Sequence, residues 1–227
     1  MSSNIAYEIA VWLVPLVIAI VFHEVAHGLV ARRLGDPTAE ERGRLTLNPI
    51  KHIDPFGTVI LPLILAISHA PVFGWAKPVP VNYRRLRKPR RDMVLVALAG
   101  PGMNFLLALI GTALLAATVS LSGGARDGAA AMVAANALNF LLINIFLAVF
   151  NLLPVPPFDG GHVVEGLLPP PLAQRFARIG RYSLLVLVVL LLVLPAISPS
   201  ANVVGRVVSP LVSAIARGFL GIFGLGA

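Results

Sequence analysis

Of 227 residues, 57% are hydrophobic and only 12% are charged, with a net charge of +8 and no cysteine. So much apolar side chain exceeds what a soluble domain of this length can bury, and the missing cysteine excludes disulfides and thiolate metal sites. The positive charge does not indicate nucleic acid: its densest run, 84-RRLRKPRR-91, has no interleaved aromatics and belongs to no nucleic-acid-binding module.

Four long runs nearly free of charge, 7–31, 93–121, 129–158 and 182–205, each match the ~20 apolar residues of a bilayer-spanning helix. The first carries 19-AIVFHEVAHGLVARR-33, in which His23, Glu24 and His27 interrupt an otherwise apolar span. Ionisable groups at membrane depth are costly and mark function. His23 and His27 are four residues apart, so a helix stacks them on one face where both imidazoles reach one ion. This is the HExxH zinc pattern. Glu24 then lies beside the metal, placed to exchange protons with water and a leaving amine. The alternative is a pair of interior histidines hydrogen-bonded to neighbouring helices.

The basic segments 32–51 and 77–91 are expected on the cytoplasmic side, and 84–91 is expected beside anionic lipid. Between them, 56-FGTVILPLILAISHAPVFGW-75 is short and contains Pro62 and Pro71. A full crossing would place 84–91 outside, so the segment is expected to be re-entrant. The following stretch, 72–82, has strand-like residues and is expected to form a small β-hairpin near the site, with an exposed edge.

In the third run, 151-NLLPVPPFDGGH-162 breaks the helix with Pro154, Pro156 and Pro157. Broken backbone at membrane depth is tolerated where it lines a wet cavity. A catalytic zinc takes three protein ligands, and the candidates for the third are His52, His69, His162 and the few carboxylates. Asp159 is the best placed of these; its alternative role is capping the next helix. His162 could assist from the cavity, and Asn104 is expected to hydrogen-bond within the bundle. Of the C-terminal stretches, 182–197 reads as a further crossing, and 201–224 as an interfacial helix or a final crossing, with the interfacial reading preferred.

Together, HEVAHG at 23–28, AGPGMN at 99–104 and NLLPVPPFDGG at 151–161 resemble the site-2 proteases, the intramembrane zinc metalloproteases of peptidase family M50. The segments 43–58 and 73–82 resemble its compact bacterial and archaeal branch, and no PDZ or CBS insertion is visible. The resemblance covers residues from about 8 to 166. It implies one zinc (Zn2+) per chain on His23, His27 and Asp159, Glu24 as catalytic acid and base, and Asn151 helping to hold the substrate strand or the reacting carbonyl near the metal.

The expectation is therefore an all-α polytopic membrane protein, a bundle of four to six segments with a re-entrant piece. It forms one domain over 1–227, with a catalytic core over about 7–166 and C-terminal membrane helices over about 175–227. Its substrate would be a transmembrane protein or peptide, cut within or near its helix in the cell membrane of a bacterium or archaeon, at a site toward the cytoplasm. The competing reading is a transporter or metal-handling protein that uses the same polar residues as an ion or proton path; paired broken-helix repeats would favour it, and none is visible.

Overall fold

The computed structural model describes residues 5–68, 72–123 and 128–225. Within them the chain is helical: α1 (Ile5–Arg33), α2 (Thr38–Glu41), α3 (Pro55–Ile67), α4 (Pro89–Ser122), α5 (Gly128–Asn151), α6 (Asp159–Leu167), α7 (Pro170–Ile197) and α8 (Val204–Ile222). Five of these, α1, α4, α5, α7 and α8, are long and apolar enough to cross a membrane. The protein is an all-α multi-pass membrane protein.

α1, α4 and α5 pack against one another as the central layer. Their interior adds polar side chains to an apolar core, and their outer faces are apolar. Asn104, Thr112 and Asn144 are 0% exposed inside the bundle, whereas Trp12, Ile110 and Leu114 on the outer faces are about half exposed. That arrangement suits a bilayer, where large apolar groups cost nothing outside and polar groups join helices inside. α4 approaches α5 closely at Gly111, where a Cβ would sit 3.2 Å from the backbone nitrogen of Leu141. α4 starts with Pro89 at its first position and ends at Gly123, whose φ of 62° supplies a left-handed cap.

α3 is only about 20 Å long at 1.5 Å per residue, against a hydrocarbon core of about 30 Å. The chain then returns to its starting point. The Trp75 N–H donates to Gly57 O at 3.1 Å, the Lys77 N–H donates to His52 O at 2.8 Å, and Thr58 Oγ1 donates to Trp75 O at 2.8 Å. The expected re-entrant path is therefore what the backbone follows. The expected β-hairpin is not: no strand occurs among the described residues, and 72–82 is a single extended segment. Its inward-facing main-chain groups bond to the turn and helix-end residues around it, and Pro78 and Pro80 lack the N–H donors that a full hairpin ladder needs, while keeping their carbonyls.

The C-terminal stretch, expected either in the interface or as a final crossing, forms α8, and Val208 and Ala216 are buried in one apolar cluster with Leu141 and Ile145 of α5. Arg206 and Arg217 did not keep it from the bundle because one face of the helix is free of charge.

Because the chain lacks cysteine, the path can be read by single-cysteine labelling. Cysteines introduced at Arg42 and Lys88, both exposed, are expected to react from one side of the membrane and one at Leu121 from the other. Reaction of position 88 from the side opposite position 42 would make α3 part of a full crossing.

Candidate metal centre

α1 delivers the first two groups. Its apolar run stays helical past the histidines and ends at Arg32 and Arg33, so His27 lies roughly 7–8 Å along the axis from the basic edge. His23 Nε2 and His27 Nε2 are 3.0 Å apart. The third group comes from beyond α5, where the proline-rich turn brings the start of α6 back to α1. Asp159 Oδ2 lies 3.2 Å from His23 Nε2 and 3.4 Å from His27 Nε2. The turn closes this tightly because Gly160 and Gly161 have no side chain: a Cβ on Gly160 would sit 2.3 Å from Leu152 O. Asp159 does not cap α6, which has no side-chain cap. Its carboxylate is left for the histidines.

The other face of each ring is fixed. His23 Nδ1 is 2.6 Å from Asn104 Oδ1, and His27 Nδ1 is 2.7 Å from Val96 O. Both partners only accept, so each Nδ1 carries the proton and each Nε2 presents a lone pair. Asp159 Oδ2 is buried and has no hydrogen-bond partner. Two imidazole lone pairs and a carboxylate oxygen therefore point at one another, all within 4.8 Å. Acceptors do not converge in a buried place without a cation between them, and this nitrogen and oxygen set suits a divalent metal with an open position. Space is kept for it: a Cβ on Gly100 would lie 2.3 Å from His27 Nε2 and 2.6 Å from His23 Nε2.

The centre opens into a cavity of about 1050 Å³ walled by α1, the segment 74–81, the start of α4, the end of α5, α6 and the first two thirds of α7. Glu24 lines it, and its Oε2 accepts the Val79 N–H at 2.8 Å. Asn151 and His162 line it too. Asn151 is turned toward its own helix through Nδ2 to Leu147 O, and His162, about half exposed, stands 3.8 Å from Glu165. Neither joins the three converging groups. Asn104 does more than brace the bundle, since it holds His23. His52 is tied through Nε2 to Thr46 O, and His69 lies outside the described residues.

The description "Peptidase family M50" matches residues 11–123 and 116–194. The chain belongs to peptidase family M50. YwhC of Bacillus subtilis (strain 168), whose name proposes a zinc metalloprotease, is 43% identical over 180 residues, 78% of each chain. Rip2 of Mycolicibacterium smegmatis, named in the same way, is 32% identical over 195 residues, which are 86% of this chain and 68% of Rip2. Rip2 of Mycobacterium tuberculosis H37Rv is 35% identical over 185 residues, 81% of this chain and 66% of its own. No solved structure gives a significant match.

Around the centre of this M50 protein, sequence reasoning missed four contributors. Two are main-chain groups, Val96 O and the Val79 N–H, which no side-chain pattern reports. Gly100 reads as helix packing in AGPG and is instead the space for the rings. Asn144 was visible as one of four amides in an apolar run, Asn136, Asn139, Asn144 and Asn151, and nothing in the pattern singled it out.

Proposed function

We propose that the chain is an intramembrane zinc metalloprotease that hydrolyses peptide bonds within or near the transmembrane helices of other membrane proteins. The observation that carries this is the meeting of three buried lone pairs in a wide cavity, beside a carboxylate that is not one of them. His23, His27 and Asp159 hold one zinc per chain, and what zinc supplies there is Lewis acidity toward a carbonyl and water. Glu24 is fixed through Oε2, while its Oε1 makes no hydrogen bond among the described residues. That oxygen takes the proton of the attacking water and returns it to the departing nitrogen.

The substrate helix unwinds and lies along 74–80. In extended chain, alternate residues turn their main-chain groups to opposite edges. Trp75, Lys77 and Val79 are engaged on the inner edge, so Gly74, Ala76 and Pro78 give the cavity its other edge. Pro78 and Pro80 have no N–H, so a substrate strand donates to their carbonyls. Asn151 Oδ1 accepts a substrate N–H on the far side.

Cytoplasmic access is part of the reading, because the basic stretches gather at the end where α1 finishes and α4 begins. Arg32 pairs with Glu40 at 2.8 Å and Arg85 with Glu41 at 2.6 Å, leaving Arg84, Arg87, Lys88 and Arg91 for anionic lipid. The chain acts as one domain, since Leu187 of α7 is buried in the same cluster as Leu141 and Val208.

The test is the purified protein in liposomes with a membrane-spanning peptide. Cleavage is expected with about one zinc per chain, and Asp159→Ala should lose both metal and cleavage. A wild-type protein that cuts no such peptide but moves ions across the liposome would replace this reading with the transporter.

A further inference from the structure

A second amide stands behind Asn104. Asn104 and Asn144 are both 0% exposed, on facing turns of α4 and α5. Asn144 Nδ2 donates to Phe140 O at 2.8 Å, Asn104 Nδ2 donates to Asn144 Oδ1 at 2.8 Å and to Ala19 O at 3.2 Å, and Asn104 Oδ1 faces His23 Nδ1.

The direction of this chain is forced. Phe140 O is a main-chain carbonyl and only accepts, so the NH₂ of Asn144 must face it. The carbonyl of Asn144 then faces Asn104 and requires its NH₂. That leaves the carbonyl of Asn104 for His23, whose Nδ1 must carry the proton. A flipped Asn104 would present NH₂ to His23, move the ring proton to Nε2 and fill the direction Asp159 and the metal use.

We propose that Asn144 is a positioning residue for His23: acting through Asn104, it fixes which imidazole nitrogen is free to bind the metal. The inference rests on the metal reading above. It concerns the preparation of the ligand, and Asn144 touches neither metal nor substrate. Partners of this kind, one step behind a metal ligand, typically change affinity 10–100-fold when removed.

Leucine at 144 is close in size, lacks the acceptor, and leaves the Asn104 amide held in its orientation by Ala19 O alone. The experiment measures zinc affinity of the solubilised protein by competition with a chelating dye, with melting temperature alongside. It adds the imidazole 15N shifts of His23 in metal-free protein at a pH where free imidazole is neutral. Asn144→Leu is expected to weaken zinc roughly 10–100-fold and to add an Nε2–H signal for His23. Asn144→Asp, which as the neutral acid keeps one donor and one acceptor, should restore most of both. A folded Asn144→Leu protein that binds zinc as wild type does, with an unchanged His23 signal, would overturn the proposal and make Asn144 a packing amide that moves only the melting temperature. If the leucine variant does not fold, wild type decides, because His23 found with its proton on Nε2 contradicts the chain of hydrogen bonds. Wild type that binds no zinc at all is a separate outcome, and it defeats the metal reading instead.

Discussion

Glu24→Gln is expected to lower cleavage of a membrane-spanning peptide by at least about a thousandfold, toward the upper end of what proton transfer contributes, while zinc content stays at one per chain. The substitution isolates one function. A glutamine carbonyl still accepts the Val79 N–H that Glu24 Oε2 accepts at 2.8 Å, so the side chain keeps its place. It cannot take or return a proton. Glu24 is also no member of the converging set of His23, His27 and Asp159, so the metal has no reason to leave. Single-turnover cleavage and metal analysis on the same preparation check both halves. Retained cleavage would move proton transfer to another group, and lost zinc would place Glu24 on the metal.

Gly100→Ala is expected to remove the metal almost entirely and cleavage with it. On helix propensity alone, alanine should stabilise α4 by up to about 1 kcal/mol. Here the added methyl would lie 2.3 Å from His27 Nε2 and 2.6 Å from His23 Nε2, in the space the ion needs. Either α4 shifts, at the 1–3 kcal/mol typical of overpacking, or the rings turn away from Asp159. Both outcomes separate the three groups. Metal analysis should find zinc reduced more than about tenfold relative to wild type, beyond the effect of losing an outer partner alone. Alanine at Gly102, where a Cβ meets nothing within 4 Å, is the control and should leave zinc unchanged. Full zinc in the Gly100 variant would mean the ion sits elsewhere.

What could be read from the sequence followed from spacing and polarity. The four-residue step from His23 to His27 places both on one face of any helix, and a carboxylate after a proline-broken run has few places to go in a membrane. The re-entrant path followed from charge, because 84–91 could not be moved across the bilayer without breaking the distribution of arginines. The hairpin failed because β-prone side chains at 72–82 say nothing about where the backbone donors go, and here they go to Gly57 O, His52 O and Glu24. Two arginines left α8 open between the interface and a crossing, and its packing on Leu141 and Ile145 through an uncharged face was not legible in the sequence. Val96 O and the Val79 N–H lay beyond any sequence reading, since every residue but proline carries the same main-chain groups.

That last point bears on how this cleft can diverge. The wall opposite the metal is fixed by amides and carbonyls: Trp75 N–H to Gly57 O, Lys77 N–H to His52 O, Val79 N–H to Glu24, and Asn82 N–H to Asp36. Only the acceptors on Glu24 and Asp36 depend on side-chain identity. The exposed side chains of this wall, Lys77 and Pro78, can therefore be exchanged through many generations without moving it or releasing the Glu24 carboxylate, whereas Trp75, Val79 and Val81 are packed inward. A lineage can retune what the cleft admits while its chemistry stands still, and the change closed to it at position 79 is proline.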